Sequence, residues 1–312
     1  MWGLFHSIFG VADDADLYPE TLVKAAIERA VDGTDPWLRG LSGYRGKLRP
    51  AVVTAIDHVV ALVDALAPPL PATRAGHGNS PMLQAMFLSS EQMLQVLRDQ
   101  LTAQHVEDPK VCALLVMDLE QRGIFGVDLL GDTLVHDVPQ VTVSFANHRL
   151  LDPTGSEQMT RRHLKRRAFD HLLGLALREM VAVKDIREGL DSRRTLLQAK
   201  LEALQRGNWG FNLAKGQIPT NVVDVKTQLV DIEKQLLLVG NDDRSLEVAL
   251  GLLVDVLGKP REHLWGSPLT LAVDRMGIKR AAASDQAPEL QLQQLHNAEV
   301  RSVVMALVEV ER

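Results

Sequence analysis

The sequence predicts an α+β protein, mostly helical, whose antiparallel sheet is interrupted by an inserted helical hairpin. Three observations carry this prediction. Residues 123–148 and 267–311 hold runs in which apolar and polar side chains alternate, the period-two pattern of strands with one face on a core. Between them, residues 157–239 repeat apolar side chains every seven positions, as helices zipped along a seam do. The remaining apolar content is Leu, Val and Ala with only 4% aromatic residues, a composition that leans toward helix.

The elements follow in order. "PETLVKAAIERAVDG" reads as a helix, with Pro19 in its first turn, Glu20 complementing the dipole and Gly33 just past its end. Pro50 opens a second helix carrying Val52, Ile56, Val59, Val60 and Val63. The Pro/Gly-rich stretch 67–81 is aperiodic and reads as a linker. Helices are expected at 81–102 and 108–122, the second containing Cys112 among apolar neighbours. Gly131-Asp132 is a two-residue hairpin signal between "IFGVDLL" and "TLVHDV", and "VTVSFA" alternates after it.

Thr154-Gly-Ser-Glu157 fits a capping box at the head of a long helix. Phe169, Ala176, Val183, Leu190, Leu197 and Leu204 recur every seven residues along it, beside a track of Leu173, Met180 and Leu201 broken by Arg187 and Arg194. Unbroken from 157 to 206 it would be ~75 Å long at 1.5 Å per residue. Val222, Val225, Leu229, Ile232, Leu236 and Val239 then follow a 3-4-3-4-3 spacing. Residues 243–257 are apolar nearly all round, which predicts a buried helix. "PLTLAVD" alternates, and 290–310 reads as a hairpin turning near His296-Asn297. The parts are thus a helical region (1–122, with the linker at 67–81), a sheet-containing body (123–152 plus 241–312) and the inserted hairpin (153–240).

Composition bounds the function. A net charge of −6 means that any polyanion surface must be local. One cysteine allows no intramolecular disulfide and fits a reducing cytoplasm. No run of 18 apolar residues occurs, so no transmembrane segment is expected, and residues 2–9 lack the cations of a peripheral membrane foot. No phosphate-binding loop, dinucleotide fingerprint, nucleophile elbow or metal-ligand spacing occurs; no cofactor and no metal are expected, and the reading leans away from an enzyme.

Three groups of residues stand out. Arg161, Arg162, Lys165, Arg166 and Arg167 crowd five cations into seven residues at a helix start, where the dipole disfavours them. Pairing with carboxylates of the same chain, or solvation, is the first explanation; nucleic acid or another polyanion is the second. Trp209 and Phe211 sit among glycines at the expected hairpin turn, where apolar residues mark a contact with a protein partner or a second copy. Asn147, His148, Arg149 and Asp152 lie where a strand is expected to give way to a helix, a place suited to a small anion or to catalysis. The function these features favour is a cytoplasmic interaction or adaptor protein presenting the hairpin.

Overall fold

The computed structural model describes residues 18–106, 108–130, 133–206, 220–239, 245–299 and 301–311. In chain order these form α1 (Glu20–Asp32), a 3-10 turn (Pro36–Gly40), α2 (Tyr44–Asp64), β1 (Leu70–Pro71), α3 (Arg74–Asn79), α4 (Pro81–Met86), α5 (Ser90–Ala103), β2 (Lys110–Leu130) and β3 (Thr133–Thr154). After them come α6 (Glu157–Arg206), α7 (Thr220–Val239), α8 (Ser245–Gly258), α9 (Pro260–His263), β4 (Leu264–Val273), β5 (Lys279–Arg280), β6 (Glu289–Asn297) and β7 (Ser302–Glu311). The fold is α+β as expected, with α6 and α7 inserted between the two halves of the sheet. The chain divides into two compact units: Thr54–Asp170 and Lys259–Arg312 with Tyr18, and Pro19–Val53 with His171–Gly258.

The first unit is built on one seven-stranded sheet in the order β3-β2-β7-β6-β4-β5, antiparallel throughout, with β1 added parallel to β7. The two halves of the expected sheet meet at β2 and β7, where Lys110 to Met117 pair with Glu311 back to Val304. The sheet also returns on itself. Thr142 of β3 bridges Ile278, next to β5, and the Val143 N–H donates to the Gly277 carbonyl at 2.7 Å. Gly277 is required at this closure. Its φ is +76°, and a Cβ would lie 3.1 Å from the Val143 carbonyl oxygen.

The expected helix at 108–122 is instead the first half of β2, and the reason lies in how the strand is covered. Val111, Ala113, Leu115 and Met117 point to one face, where Met86, Phe87, Met93, Leu97 and Leu101 of α4, α5 and their junction bury them. Cys112, Leu114 and Val116 point to the other, under Val63 and Leu66 at the end of α2 and Leu164 of α6. A strand buried on both faces reads as an unbroken apolar run, and periodicity cannot tell that run from a buried helix. Met82, Met86 and Met93 are part of this core packing.

Other expectations shift locally. The single helix 81–102 is two, because Phe87 leaves helical geometry (φ −136°) and Ser89 caps α5 through the Gln92 N–H. The linker 67–81 carries β1 and α3, and its Ala72 N–H donates to the Glu309 carbonyl at 2.7 Å. Gly76 makes this turn possible: a side chain there would collide with the Pro71 carbonyl. α2 starts at Tyr44, six residues before Pro50. Buried Leu48 and the Tyr44 hydroxyl, which donates to Glu28 at 3.0 Å, hold that first turn in place. The cap of α6 is Ser156, whose Oγ accepts from the Met159 N–H at 3.3 Å, while Thr154 ends β3.

In the second unit, α6 runs without a break to Arg206. Near its start in this unit Leu172, Leu173, Leu175 and Ala176 are all buried; from Met180 on, the less exposed side chains are 180, 183, 187, 190, 194, 197 and 201, a 3-4 alternation, with Asp191 beside them. Leu197, Val225, Ile232 and Leu236 are buried together, with Leu190, Leu201 and Leu229 against them. The seven-residue seam is therefore the packing surface of α6 on α7. The apolar helix expected at 243–257 is α8, which buries Leu250, Leu253, Val256 and Leu257 and packs on the 3-10 turn.

Candidate functional site

The basic run is mostly consumed inside the first unit. Arg161 donates to three carbonyls at the end of α2: Val63 at 2.8 Å, Leu66 at 2.9 Å and Ala67 at 3.3 Å. Its Nε also pairs with Glu157 at 2.7 Å. A helix C-terminus leaves carbonyls unpaired, and a guanidinium satisfies several at once. Lys165 is 8% exposed, and its ammonium meets the Asp64 carboxylate at 2.8 Å. Arg167 grips Asp152 through two hydrogen bonds of 2.7 and 2.8 Å. Arg166 lies 4.0 Å from Asp170, and Arg162 reaches the Met159 sulfur at 3.6 Å. These contacts offset the repulsion and the dipole that made the run costly on sequence grounds, and they support internal pairing.

The polar stretch Asn147, His148, Arg149 and Asp152 lies in the last part of β3, which ends at Thr154 shortly before α6 begins, and its side chains go to different partners. Three bulges set two residues of β3 against one of β2. Asp152-Pro153 face Ala113, Asn147-His148 face Met117, and His136-Asp137 face Val127. Asp152, Asn147 and Asp137 take positive φ values of 49°, 53° and 58°. Asn and Asp tolerate this conformation better than other side chains, so the bulges account for these residue types. The side chains then part. Asn147 donates to Asp118 at 2.8 Å, Arg149 lies 3.6 Å from the same carboxylate, and Asp152 belongs to Arg167.

His148 turns to the helix-covered face. Its ring stacks on Phe87 with centroids 4.5 Å apart, and Nε2 donates to the Met86 carbonyl at 2.8 Å. Burial pushes its pKa below the ordinary histidine value, against the raising effect of that hydrogen bond. The Cys112 thiol is pushed up by burial and lies beside Thr160, whose hydroxyl donates to the Cys112 carbonyl at 2.7 Å. Both side chains lie in packing contacts.

The tip candidates Trp209 and Phe211 lie outside the described residues, as do residues 2–9. The helices α6 and α7 on either side of that tip are described, and one feature of these helices was not visible in the sequence. Outside the buried seam, further apolar residues stand in water: Leu196 of α6 is 71% exposed, and Val223 and Val230 of α7 are 47% and 48% exposed. Val223 and Val230 are seven residues apart and each follows a seam position, so they share one face of α7.

Two further features carry no sequence motif. A cavity of about 450 Å³ in the second unit is lined by Leu177, Met180 and Val181 of α6 and by Val248, Ala249 and Leu252 of α8, with charged side chains at its rim. The Ser267 hydroxyl and His296 Nε2 lie 2.8 Å apart, and Trp265 stacks on the His296 ring. β4 and β6 are neighbours there, so this pair ties the two strands together. Among the described residues no three His, Cys, Asp or Glu side chains are grouped to hold a metal, and no helix is long and apolar enough to cross a membrane. No family model, curated protein or solved structure matches the chain.

Proposed function

We propose that this is a non-enzymatic cytoplasmic interaction protein that presents the α6–α7 hairpin to a protein partner or to a second copy of itself. The observation that supports this is the exposed apolar surface on α6 and α7 outside their shared seam. The seam between the helices is already satisfied by Leu197, Val225, Ile232 and Leu236, yet Leu196, Val223 and Val230 remain in water outside it. A helix pair with mutually satisfied seams has no packing need for apolar residues outside them, whereas a surface that receives further helices does. The Trp209–Phe211 segment between the two helices extends the same reading. Internal pairing of Arg161, Lys165 and Arg167 ranks polyanion binding second.

The test places Glu at the exposed Leu196, Val223 and Val230. Sedimentation velocity reports self-association, and capture from the native host's lysate reports a partner. The variant should keep its circular dichroism spectrum and lose either the dimer or the captured protein. A Trp209→Ala/Phe211→Ala double variant should weaken the same association. A triple variant that associates like wild type would sink the proposal.

A further inference from the structure

α6 carries a second set of residues in 3-4 spacing, apart from its seam with α7. Glu179, Ala182, Ile186, Gly189, Arg193, Leu196 and Lys200 follow one another at intervals of three, four, three, four, three and four residues. That spacing keeps them on one face of the helix. The other faces are occupied: Leu190, Leu197 and Leu201 pack on α7, while Val181, Lys184, Glu188 and Asp191 line the cavity beside α8. All seven residues of the set are exposed, Ile186 to 57% and Leu196 to 71%.

The charges of α6 divide in the same way. Lys184 pairs with Glu188 at 3.9 Å, and Asp191 takes both Arg187 at 3.8 Å and Arg194 at 3.0 Å. Glu179, Arg193 and Lys200 of the exposed set, and Asp185 beside Ile186, make no ion pair among the described residues.

Reversed, the set complements itself. A second copy laid antiparallel about Gly189 brings the partner's Lys200 to Glu179, the partner's Leu196 to Ala182, the partner's Arg193 to Ile186 and the partner's Gly189 to Gly189. The stem of that arginine covers Ile186 and its guanidinium reaches Asp185. Two-fold symmetry then forms each ion pair twice. Glycine at the centre lets the two helices approach closely, and a Cβ there would meet nothing within 4 Å in its own chain. A parallel partner would instead set Arg193 on Arg193 and Glu179 on Glu179, which like-charge repulsion opposes. The span from Glu179 to Lys200 is ~32 Å long at 1.5 Å per residue. A contact strip ~15 Å wide along it buries about 1,000 Å² over both copies, the low end for a specific interface. Such a dimer forms and dissociates with concentration.

We propose, building on the hairpin reading above, that α6 of one copy pairs antiparallel with α6 of a second copy through this set, with the two-fold axis at Gly189. Sedimentation velocity on the full chain tests it. The wild type should dimerise with a micromolar constant and fall apart as salt is raised. Asp185→Arg and Arg193→Asp should each weaken the dimer about tenfold or more, with circular dichroism unchanged. An equimolar mixture of these two variants should dimerise like wild type, because every cation then faces an anion again. Gly189→Leu should abolish the dimer, whereas Val223→Glu/Val230→Glu should leave it intact. A mixture no better than either variant alone, single variants that dimerise like wild type, or a dimer lost in Val223→Glu/Val230→Glu would overturn the proposal. So would a wild type still monomeric at ~200 µM, a concentration well above a micromolar constant. If that monomer nonetheless captures a host protein that the Leu196/Val223/Val230 Glu variant loses, the hairpin reading stands and the self-pairing falls.

Discussion

Replacing Arg161 by Ala separates a structural role for the basic run from an external one. Its guanidinium donates to three carbonyls at the end of α2, and the side chain is 18% exposed. A hydrogen bond from a charged group contributes ~1.5–3 kcal/mol, and a buried acceptor left unpaired costs ~1–3 kcal/mol. Water can replace the donor at Ala67, on the exposed side, so two of the three bonds carry most of the effect. The exposed i,i+4 pair with Glu157 adds only ~0.3–0.5 kcal/mol. The expected loss is therefore about 3 kcal/mol, a large share of the ~5–15 kcal/mol typical of a domain. Arg161→Lys should recover only a minor part, since one ammonium cannot span three carbonyls. Arg166→Ala, which loosens an exposed 4.0 Å pair, should cost under about 0.5 kcal/mol. Urea unfolding read by circular dichroism measures all three. If Arg161→Ala costs no more than Arg166→Ala while retention on heparin collapses, the internal-pairing argument is refuted and the cations face an external anion.

Three further outcomes are expected. The lowered pKa of His148 means that the unfolded chain takes up a proton first as pH falls below about 6.5, so the histidine's contribution is complete above that pH and is lost below it. Between about pH 8 and pH 5 the wild-type melting temperature should drop more than that of His148→Gln, and parallel drops would contradict the burial argument. At the positive-φ bulge residue Asn147, Gly should be tolerated within ~1 kcal/mol, while Val should cost about 1–2 kcal/mol more in urea; equal losses would dismiss backbone strain as the reason for Asn. Gly76→Ala should destabilise through the Pro71 carbonyl, whereas Gly78→Ala, with open space around it, should not. Matching melting temperatures would show that the 67–81 turn yields freely.

What the sequence revealed depended on whether one face of an element stays wet. α7, the distal part of α6 and the first half of β6 alternate buried and exposed positions, so their periods could be read, whereas β7 is buried on both faces from Val304 to Val308. β2 has a helix-covered face on each side near the body, so "VCALLVM" lost its period and passed for a helix. The strands on either side of Gly131-Asp132 were legible as a hairpin, but their exposure was not: β7 leaves β2 at Met117, opposite Val304, and Phe125 beyond it is 77% exposed. The residues of the polar stretch were visible in the sequence, but the strand register that holds them was not. Asn147 and Asp152 are there for their tolerance of positive φ, and the register that demands it is set by the partner strand. For the basic run, the charge was legible and its partners were not: Asp64 lies 101 residues from Lys165 in the chain.

The hairpin proposal meets its most direct test in lysine cross-linking followed by mass spectrometry in the native host. Lys200, Lys226 and Lys234 are exposed on α6 and α7. The account predicts cross-links from these lysines to a second polypeptide, lost when Leu196, Val223 and Val230 become Glu. Cross-links confined to one chain, or intermolecular ones indifferent to that substitution, would contradict it.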